Sequence, residues 1–157
     1  MTRGFFGIGI WHAKHEVNIG TLWRSATLYD AAFVFTVGAR YRHEAGDTCK
    51  TPQHTPLYHY RDIDDLVEHL PHSAPLIGVE LDPRAKPLTG YRHPERAVYL
   101  LGAEDHGLPA AVVGRCHDLV VIPTVRGFSH NVAVAGALTL HDRFTKQLAA
   151  MPLEVNA

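Results

Sequence analysis

Short runs of consecutive apolar residues alternate along this chain with longer segments in which apolar residues recur every three or four positions. Runs that are apolar throughout are typical of strands buried on both faces, and the three-to-four spacing is typical of amphipathic helices. The apolar runs predict five strands, at Phe5–Ile10, Phe33–Val37, Leu76–Leu81, Ala97–Leu101 and Leu119–Ile122.

The helical segments lie between and after these strands. The pattern predicts helices over Asn18–Ala31, after a cap at Asp62, from Pro109, and over about His130–Leu148. This alternation predicts an α/β fold, with a mostly parallel sheet covered by helices on both faces. We expect a single domain over residues 1–157, with a core at about 5–148 and a frayed tail. The polar segment at 40–56 is predicted to be a long loop.

Composition and charge narrow the class of protein. The apolar content of 46% and charged content of 20% are those of a soluble globular domain, without a membrane span or signal peptide. A net charge of -1 argues against a protein that binds nucleic acid through charge alone. Cys49 and Cys116 predict free thiols in a cytoplasmic protein. The chain contains neither HExxH nor CxxC, so no metal site is expected.

Three segments carry polar residues at strand ends and helix starts, where an α/β fold builds ligand sites. They are Asn18–Ala26, Leu100–Pro109 and Val121–Ala137. Each has a purely structural alternative. Arg24 can be a solvated arginine opposite the apolar stripe of its helix, and Glu104 an exposed acid in a turn. Ser129 and Asn131 can be helix caps.

Together, the segments resemble in order and spacing the three motifs of the SpoU (TrmH-like) branch of the SPOUT RNA methyltransferases. The first motif, N-x-G-x-x-x-R-x-A, is matched by Asn18, Gly20, Arg24 and Ala26. The second, G-x-E-x-x-G-L, is matched by Gly102, Glu104, Gly107 and Leu108. The third, I-P-M-x-G-x-x-x-S-L-N-V-S-x-A, is matched with a slightly shorter loop by Ile122, Pro123, Gly127, Ser129, Asn131, Val132 and Ala135. The resemblance extends from about Phe5 to Arg143.

The resemblance implies a SPOUT fold with a C-terminal deep trefoil knot, whose loops bind S-adenosylmethionine. The implied cofactor-binding residues are Val79, Glu80, Leu101, Gly102, Gly107, Ile122, Ser129 and Asn131. The implied reaction transfers a methyl group to a ribose 2′-hydroxyl, with Arg24, Asn18 and Glu104 as catalytic residues. Arg24 is expected either to lose a proton when a substrate phosphate reorganises it, or to stay charged and stabilise the alkoxide. Glu104 is expected to hold Arg24 or the loop.

The implied partners are RNA and a second copy of the chain, since family members are dimers joined through the first and last helices. Candidate RNA contacts are Arg24, Arg40, Arg42, Lys50 and Arg126, although the last four fit solvated loops equally well. A chain that is essentially a catalytic core favours tRNA as the substrate, with rRNA as the alternative.

Three other classes remain as rivals. The Gly7-Ile8-Gly9 sequence suggests a dinucleotide oxidoreductase, but the third glycine of that fingerprint is missing. A catalytically silent SPOUT protein that only binds RNA or cofactor is the second, and a SPOUT enzyme that methylates a base nitrogen is the third. The chain departs from the motifs at Thr124, His130 and Ala133, and His130 is the clearest departure.

Overall fold

The computed structural model describes residues 4–41 and 54–150. Within these residues, seven strands form one sheet: β1 (Phe5–Trp11), β2 (Phe33–Val37), β3 (Leu57–Tyr60), β4 (Leu76–Val79), β5 (Lys86–Pro87), β6 (Arg96–Leu101) and β7 (Asp118–Val121). The strand order is β3-β2-β1-β6-β4-β7-β5, and neighbouring strands run parallel. The predicted parallel sheet is therefore confirmed.

Four α-helices occur in the same described ranges: α1 (Glu16–Leu28), α2 (Ile63–Glu68), α3 (Ala110–Val113) and α4 (Val132–Ala149). The predicted cap of α2 is present, because the Asp62 Oδ1 atom accepts a hydrogen bond from the Asp65 amide at 2.9 Å. Pro109 precedes α3 instead of forming its first residue. Among the described residues, no helix has the length and apolar character needed to cross a bilayer.

The two strands absent from the sequence prediction, β3 and β5, lie at the edges of the sheet. Edge strands lack the continuous apolar run of a central strand, and β5 has two residues, both exposed. The observed β4 and β7 also end earlier than predicted, at Val79 and Val121. Most of the predicted long loop, residues 42–53, lies outside the described residues.

Helices cover both faces of the sheet, as predicted. On one face, α1 and α4 pack over side chains of β1 and β6, including Ile8 and Tyr99. On the other face, α2 and α3 pack over residues that include Phe35 and Leu100. The trefoil knot that the resemblance implies stays a prediction.

The Gly7-Ile8-Gly9 sequence has a packing explanation. Gly7 and Gly9 lie in β1, and a Cβ atom at either position would collide with the ring of Phe33 or Phe35 on the neighbouring strand β2. Both glycines therefore make room for aromatic rings inside the sheet. This removes the main support for the oxidoreductase interpretation.

Candidate active site

A cavity of about 260 Å³ lies at the carboxyl ends of β4, β6 and β7. Its walls come from these strand ends, from the turn after β6, and from the segment that leads into α4. The lining residues are Val79, Glu80, Leu81, Leu101, Gly102, Ala103, Glu104, Asp105, His106, Gly107, Val121, Ile122, Phe128, Ser129, His130, Val132 and Ala135. This edge is where an open parallel sheet forms a ligand crevice.

Most of the predicted cofactor-binding residues line this cavity. They are Val79, Glu80, Leu101, Gly102, Gly107, Ile122 and Ser129. Asn131 is the exception: it lies outside the lining and caps α4, because its Oδ1 atom accepts hydrogen bonds from the Ala133 and Val134 amides at 2.9 and 3.3 Å. Sequence reasoning missed Asp105, His106, Phe128 and His130, although each adjoins a motif residue.

Glu80 shapes the turn that closes one wall. Its Oε2 atom accepts a hydrogen bond from the Leu108 amide at 2.5 Å, and its Oε1 atom accepts one from the Leu81 amide at 2.8 Å. Gly107 has a φ of +63°, and a Cβ atom at Gly102 would lie 2.6 Å from the Gly107 Cα atom. Glycine is therefore required at both positions, because the turn has no space for a larger side chain.

A chain of side-chain hydrogen bonds joins the three motifs. The Asn18 Nδ2 atom, in the first turn of α1, donates to Glu104 Oε1 at 2.7 Å. The Asn131 Nδ2 atom, at the start of α4, donates to Asn18 Oδ1 at 3.0 Å. Asn18 is buried, and Glu104 is half-buried. The fold thus connects residues 18, 104 and 131 directly, although they are far apart in sequence.

Glu104 also organises the loop between β1 and α1. Its carboxylate accepts hydrogen bonds from the backbone amides of Lys14 and His15 at 3.1 and 3.4 Å. Burial by itself raises the pKa of Glu104, but hydrogen bonds from Asn18 and these backbone amides outweigh it, so the pKa lies below its ordinary value. Lys14 forms an ion pair with Asp105. Of the two roles expected for Glu104, these contacts correspond to holding the loop.

The predicted RNA-binding arginines lie outside the cavity. Arg24, Arg40 and Arg126 are exposed, and none of them lines the cavity. Within the described part of the chain, Arg24 has no hydrogen-bond or ion-pair partner, so Glu104 does not hold it. Arg42 and Lys50 lie outside the described residues.

A metal centre is not formed by residues 4–41 and 54–150. No three His, Cys, Asp or Glu side chains in these ranges are grouped as metal ligands would be. The acidic residues of the cavity instead have identified polar partners: Glu80 accepts from backbone amides, and Asp105 pairs with Lys14.

Two sequence comparisons point to one family. The model of the SpoU rRNA Methylase family matches residues 7–141 of this chain. The chain is also similar to the mouse (Mus musculus) tRNA (guanosine(18)-2′-O)-methyltransferase TARBP1, with 31% identity over 143 residues. That alignment covers 83% of this chain but only 9% of the mouse protein.

Solved structures share the fold at low sequence identity. The SpoU methyltransferase AviRb from Streptomyces viridochromogenes, in complex with the cofactor AdoMet, aligns with a TM-score of 0.80 and 18% identity over 94% of this chain and 60% of AviRb. A structure that concerns 2-OH methylation of C/U34 on tRNA aligns with a TM-score of 0.80 and 19% identity. That alignment covers 94% of this chain and 99% of the other.

Proposed function

This chain belongs to the SpoU rRNA Methylase family, and we propose that it transfers a methyl group from S-adenosylmethionine to a ribose 2′-hydroxyl of RNA. The observation that carries the proposal is the hydrogen-bonded chain Glu104–Asn18–Asn131 beside the cavity. It brings all three motifs to one place at the carboxyl edge of the sheet. Such convergence of separate polar segments on one cavity is typical of an enzyme active site.

The cavity is near the size of a small-molecule site, and its charge suits S-adenosylmethionine. Its volume of about 260 Å³ is close to the lower end of the range of roughly 300–1,000 Å³ for small-molecule sites. Glu80, Glu104 and Asp105 give its lining a negative character that suits the positive sulfonium and ammonium groups. Gly102 and Ala135 add little side-chain volume. When bound, the cofactor supplies an electrophilic methyl group.

Asn18 and Glu104 act as positioning residues in this proposal, because their hydrogen bonds hold the start of α1 against the turn after β6. Arg24 lies six residues after Asn18, which is about 9 Å further along the helix axis. The target hydroxyl must lose its proton, and a guanidinium stays protonated at ordinary pH. Arg24 therefore stays charged, orients a substrate phosphate and stabilises the alkoxide that develops as the proton passes to water.

A second copy of the chain would complete the site. Arg24 does not line the cavity of its own chain, so it can serve the cavity of a partner. The outer face of α4 carries exposed apolar side chains at Val134, Leu138 and Leu148, and Leu28 of α1 is 77% exposed. These surfaces support a homodimer formed through the first and last helices.

We favour tRNA as the substrate. The mouse relative is named as a tRNA 2′-O-methyltransferase, and one structure of the same fold concerns methylation of tRNA. The alternative substrate is rRNA. The family description names rRNA, and a structurally similar protein from Sinorhizobium meliloti is named as an rRNA methyltransferase.

The test is incubation of the protein with methyl-labelled S-adenosylmethionine and either total tRNA or rRNA, followed by mapping of the labelled nucleoside. We expect a 2′-O-methylated nucleoside in tRNA. Label on a base would contradict the ribose assignment. Cofactor binding without transfer to either RNA would instead indicate a catalytically silent protein.

The role of Arg24 is tested with Arg24→Ala. Loss of the positive charge should abolish turnover and leave the Kd of S-adenosylmethionine within about twofold, because the proposed contact of Arg24 is with the RNA phosphate and not with the cofactor. Arg24→Lys is the matched control, since it keeps the charge without the planar guanidinium. Normal turnover by Arg24→Ala would remove Arg24 from this role.

A further inference from the structure

We propose that Phe128 is a stacking platform for an unpaired nucleobase of the RNA, next to the cavity that binds the methyl donor. The inference rests on the proposed function and deepens it, because it identifies the substrate site as a loop or bulge whose bases are free to stack. Proteins recognise single-stranded RNA in this way, by placing aromatic rings against the faces of unstacked bases.

Phe128 is exposed in a way that core packing does not explain. Its side chain is 74% exposed, whereas Phe6, Phe33 and Phe35 are at most 4% exposed. Leaving apolar surface in water costs about 25 cal/mol per Å². Phe128 is also one of the residues that line the cavity. An aromatic ring held in water beside a ligand cavity is typical of a binding surface.

The chain holds this ring on a preformed turn. The Thr124 hydroxyl oxygen accepts a hydrogen bond from the Gly127 amide at 3.0 Å, and the hydroxyl approaches the Phe128 carbonyl oxygen at 3.5 Å. Gly127 has a φ of +69°, which favours glycine. Immediately after the turn, Asn131 fixes the start of α4. The backbone on either side of Phe128 is therefore already ordered before a base stacks on the ring.

The charge of the turn favours RNA over another protein surface. Arg126 is exposed two residues before Phe128, so the same turn carries a cation that can contact a phosphate and a ring that can contact a base. His130 provides a second flat ring in the same cavity lining. Grooves for single-stranded nucleic acid combine such cations with aromatic rings. The exposed apolar residues of α4 form a separate stripe at Val134, Leu138 and Leu148.

The experiment measures the Kd of the 157-residue chain for total tRNA, with S-adenosylhomocysteine present, over a series of salt concentrations. Phe128→Ala should raise the Kd by about 5- to 150-fold, because stacking on an aromatic ring contributes roughly 1–3 kcal/mol per base. The slope of log Kd against log salt should stay unchanged, since no charge is removed. Phe128→Trp should bind as tightly as the wild type.

Val125→Ala is the matched control, because Val125 is fully exposed in the same turn but does not line the cavity. We expect its Kd to match that of the wild type, and Arg126→Ala to reduce the salt slope. Unchanged tRNA binding by Phe128→Ala would overturn the inference. The inference would also be overturned if Phe128→Ala lost only its affinity for S-adenosylhomocysteine, or if it changed oligomeric state in sedimentation.

The inference and the proposed function can fail separately in these measurements. If the wild type transfers methyl groups to RNA but Phe128→Ala binds tRNA normally, only the stacking role is wrong. If tRNA binding depends on Phe128 but no RNA is methylated, the stacking role stands and the proposed activity is wrong.

Discussion

At the scale of single residues, the site depends on the ability of one buried amide to donate and accept at once. Asn18 donates to Glu104 and accepts from Asn131. An alanine can do neither, and an aspartate would place a second carboxylate next to Glu104. The residue type of Asn18 is therefore set by two partners that lie 86 and 113 positions away.

Asn18→Ala should lower the free energy of unfolding by about 1–3 kcal/mol, because Glu104 and Asn131 lose a buried partner. Asn18→Asp should be less stable than the wild type at neutral pH and should recover part of the loss in acid, where one carboxyl is protonated. Urea unfolding at two pH values measures both. An Asn18→Ala protein as stable as the wild type would show that this hydrogen-bonded chain adds nothing to stability.

His93 should make the stability of the protein depend on pH. It is buried between Tyr99 and Asp142, with distances of 2.6 Å from His93 Nδ1 to the Tyr99 hydroxyl and 2.8 Å from His93 Nε2 to the Asp142 carboxylate. Burial lowers the pKa of His93 below its ordinary value of 6.5, despite the neighbouring carboxylate. The unfolded chain therefore binds the proton more readily, and this contribution to stability is lost as the pH falls below about 6.5.

Urea unfolding of the wild type and of His93→Gln between about pH 8 and pH 5 measures this contribution. The variant should lose less stability over that range than the wild type does. His106→Gln is the control, because His106 is exposed. Identical pH profiles for the wild type and His93→Gln would exclude His93 as the source.

At the scale of elements, α4 is positioned from both of its ends. Asn131 caps its start, while near its end the buried Arg143 donates to the carbonyl oxygens of Pro94 and Glu95 at 2.6 and 2.8 Å. Lys146 donates to the Tyr91 carbonyl oxygen at 3.1 Å. Between these ends, Gly136 lets α4 approach α1 and the sheet closely. The helix is thus aligned with the cavity at one end and with the loop before β6 at the other.

Gly136→Val should destabilise the protein by about 1–3 kcal/mol, which is typical of overpacking a core. A Cβ atom there would overlap Leu22 and lie 3.0 Å from Leu101 Cδ1. Gly20→Ala in α1 is the contrasting variant: its Cβ atom would lie 3.7 Å from the Tyr41 hydroxyl, so better helix propensity should leave stability equal or up to about 1 kcal/mol higher. Thermal unfolding compares the two. A stabilised Gly136→Val protein would contradict the close packing of α4.

At the scale of the whole molecule, the cavity and the exposed apolar stripe of α4 are formed by different residues. The cavity is lined in part by residues at the carboxyl ends of three strands. The α4 stripe of Val134, Leu138 and Leu148 is apolar and exposed. We interpret the first surface as the site of chemistry and the second as the dimer contact.

Leu138→Glu should convert the proposed dimer into a monomer, because a charge would be buried in the contact. Analytical ultracentrifugation measures the change. Val125→Glu is the control, since it adds the same charge to a fully exposed loop residue. The dimer interpretation would be wrong if the wild type sedimented as a monomer, or if Leu138→Glu remained a dimer.

The sequence by itself determined the central strands, the helices that cover them and many of the motif residues that line the cavity. Apolar runs such as Phe33–Val37 are long and continuous because those strands are buried on both faces. Gly102, Glu104 and Ser129 could be identified because the motifs are recognised from the spacing of residues along the chain, without knowledge of the fold. The edge strands β3 and β5 could not, because they are short and partly exposed.

Only the tertiary structure decided which of these residues meet. It joined Asn18 to both Glu104 and Asn131, made Asn131 a cap outside the cavity, and left Arg24 outside it as well. It also placed Phe128 and His130 on the cavity lining. Sequence patterns report the environment of each position along one element. Contacts between residues a hundred positions apart depend on how the elements pack, which local patterns do not encode.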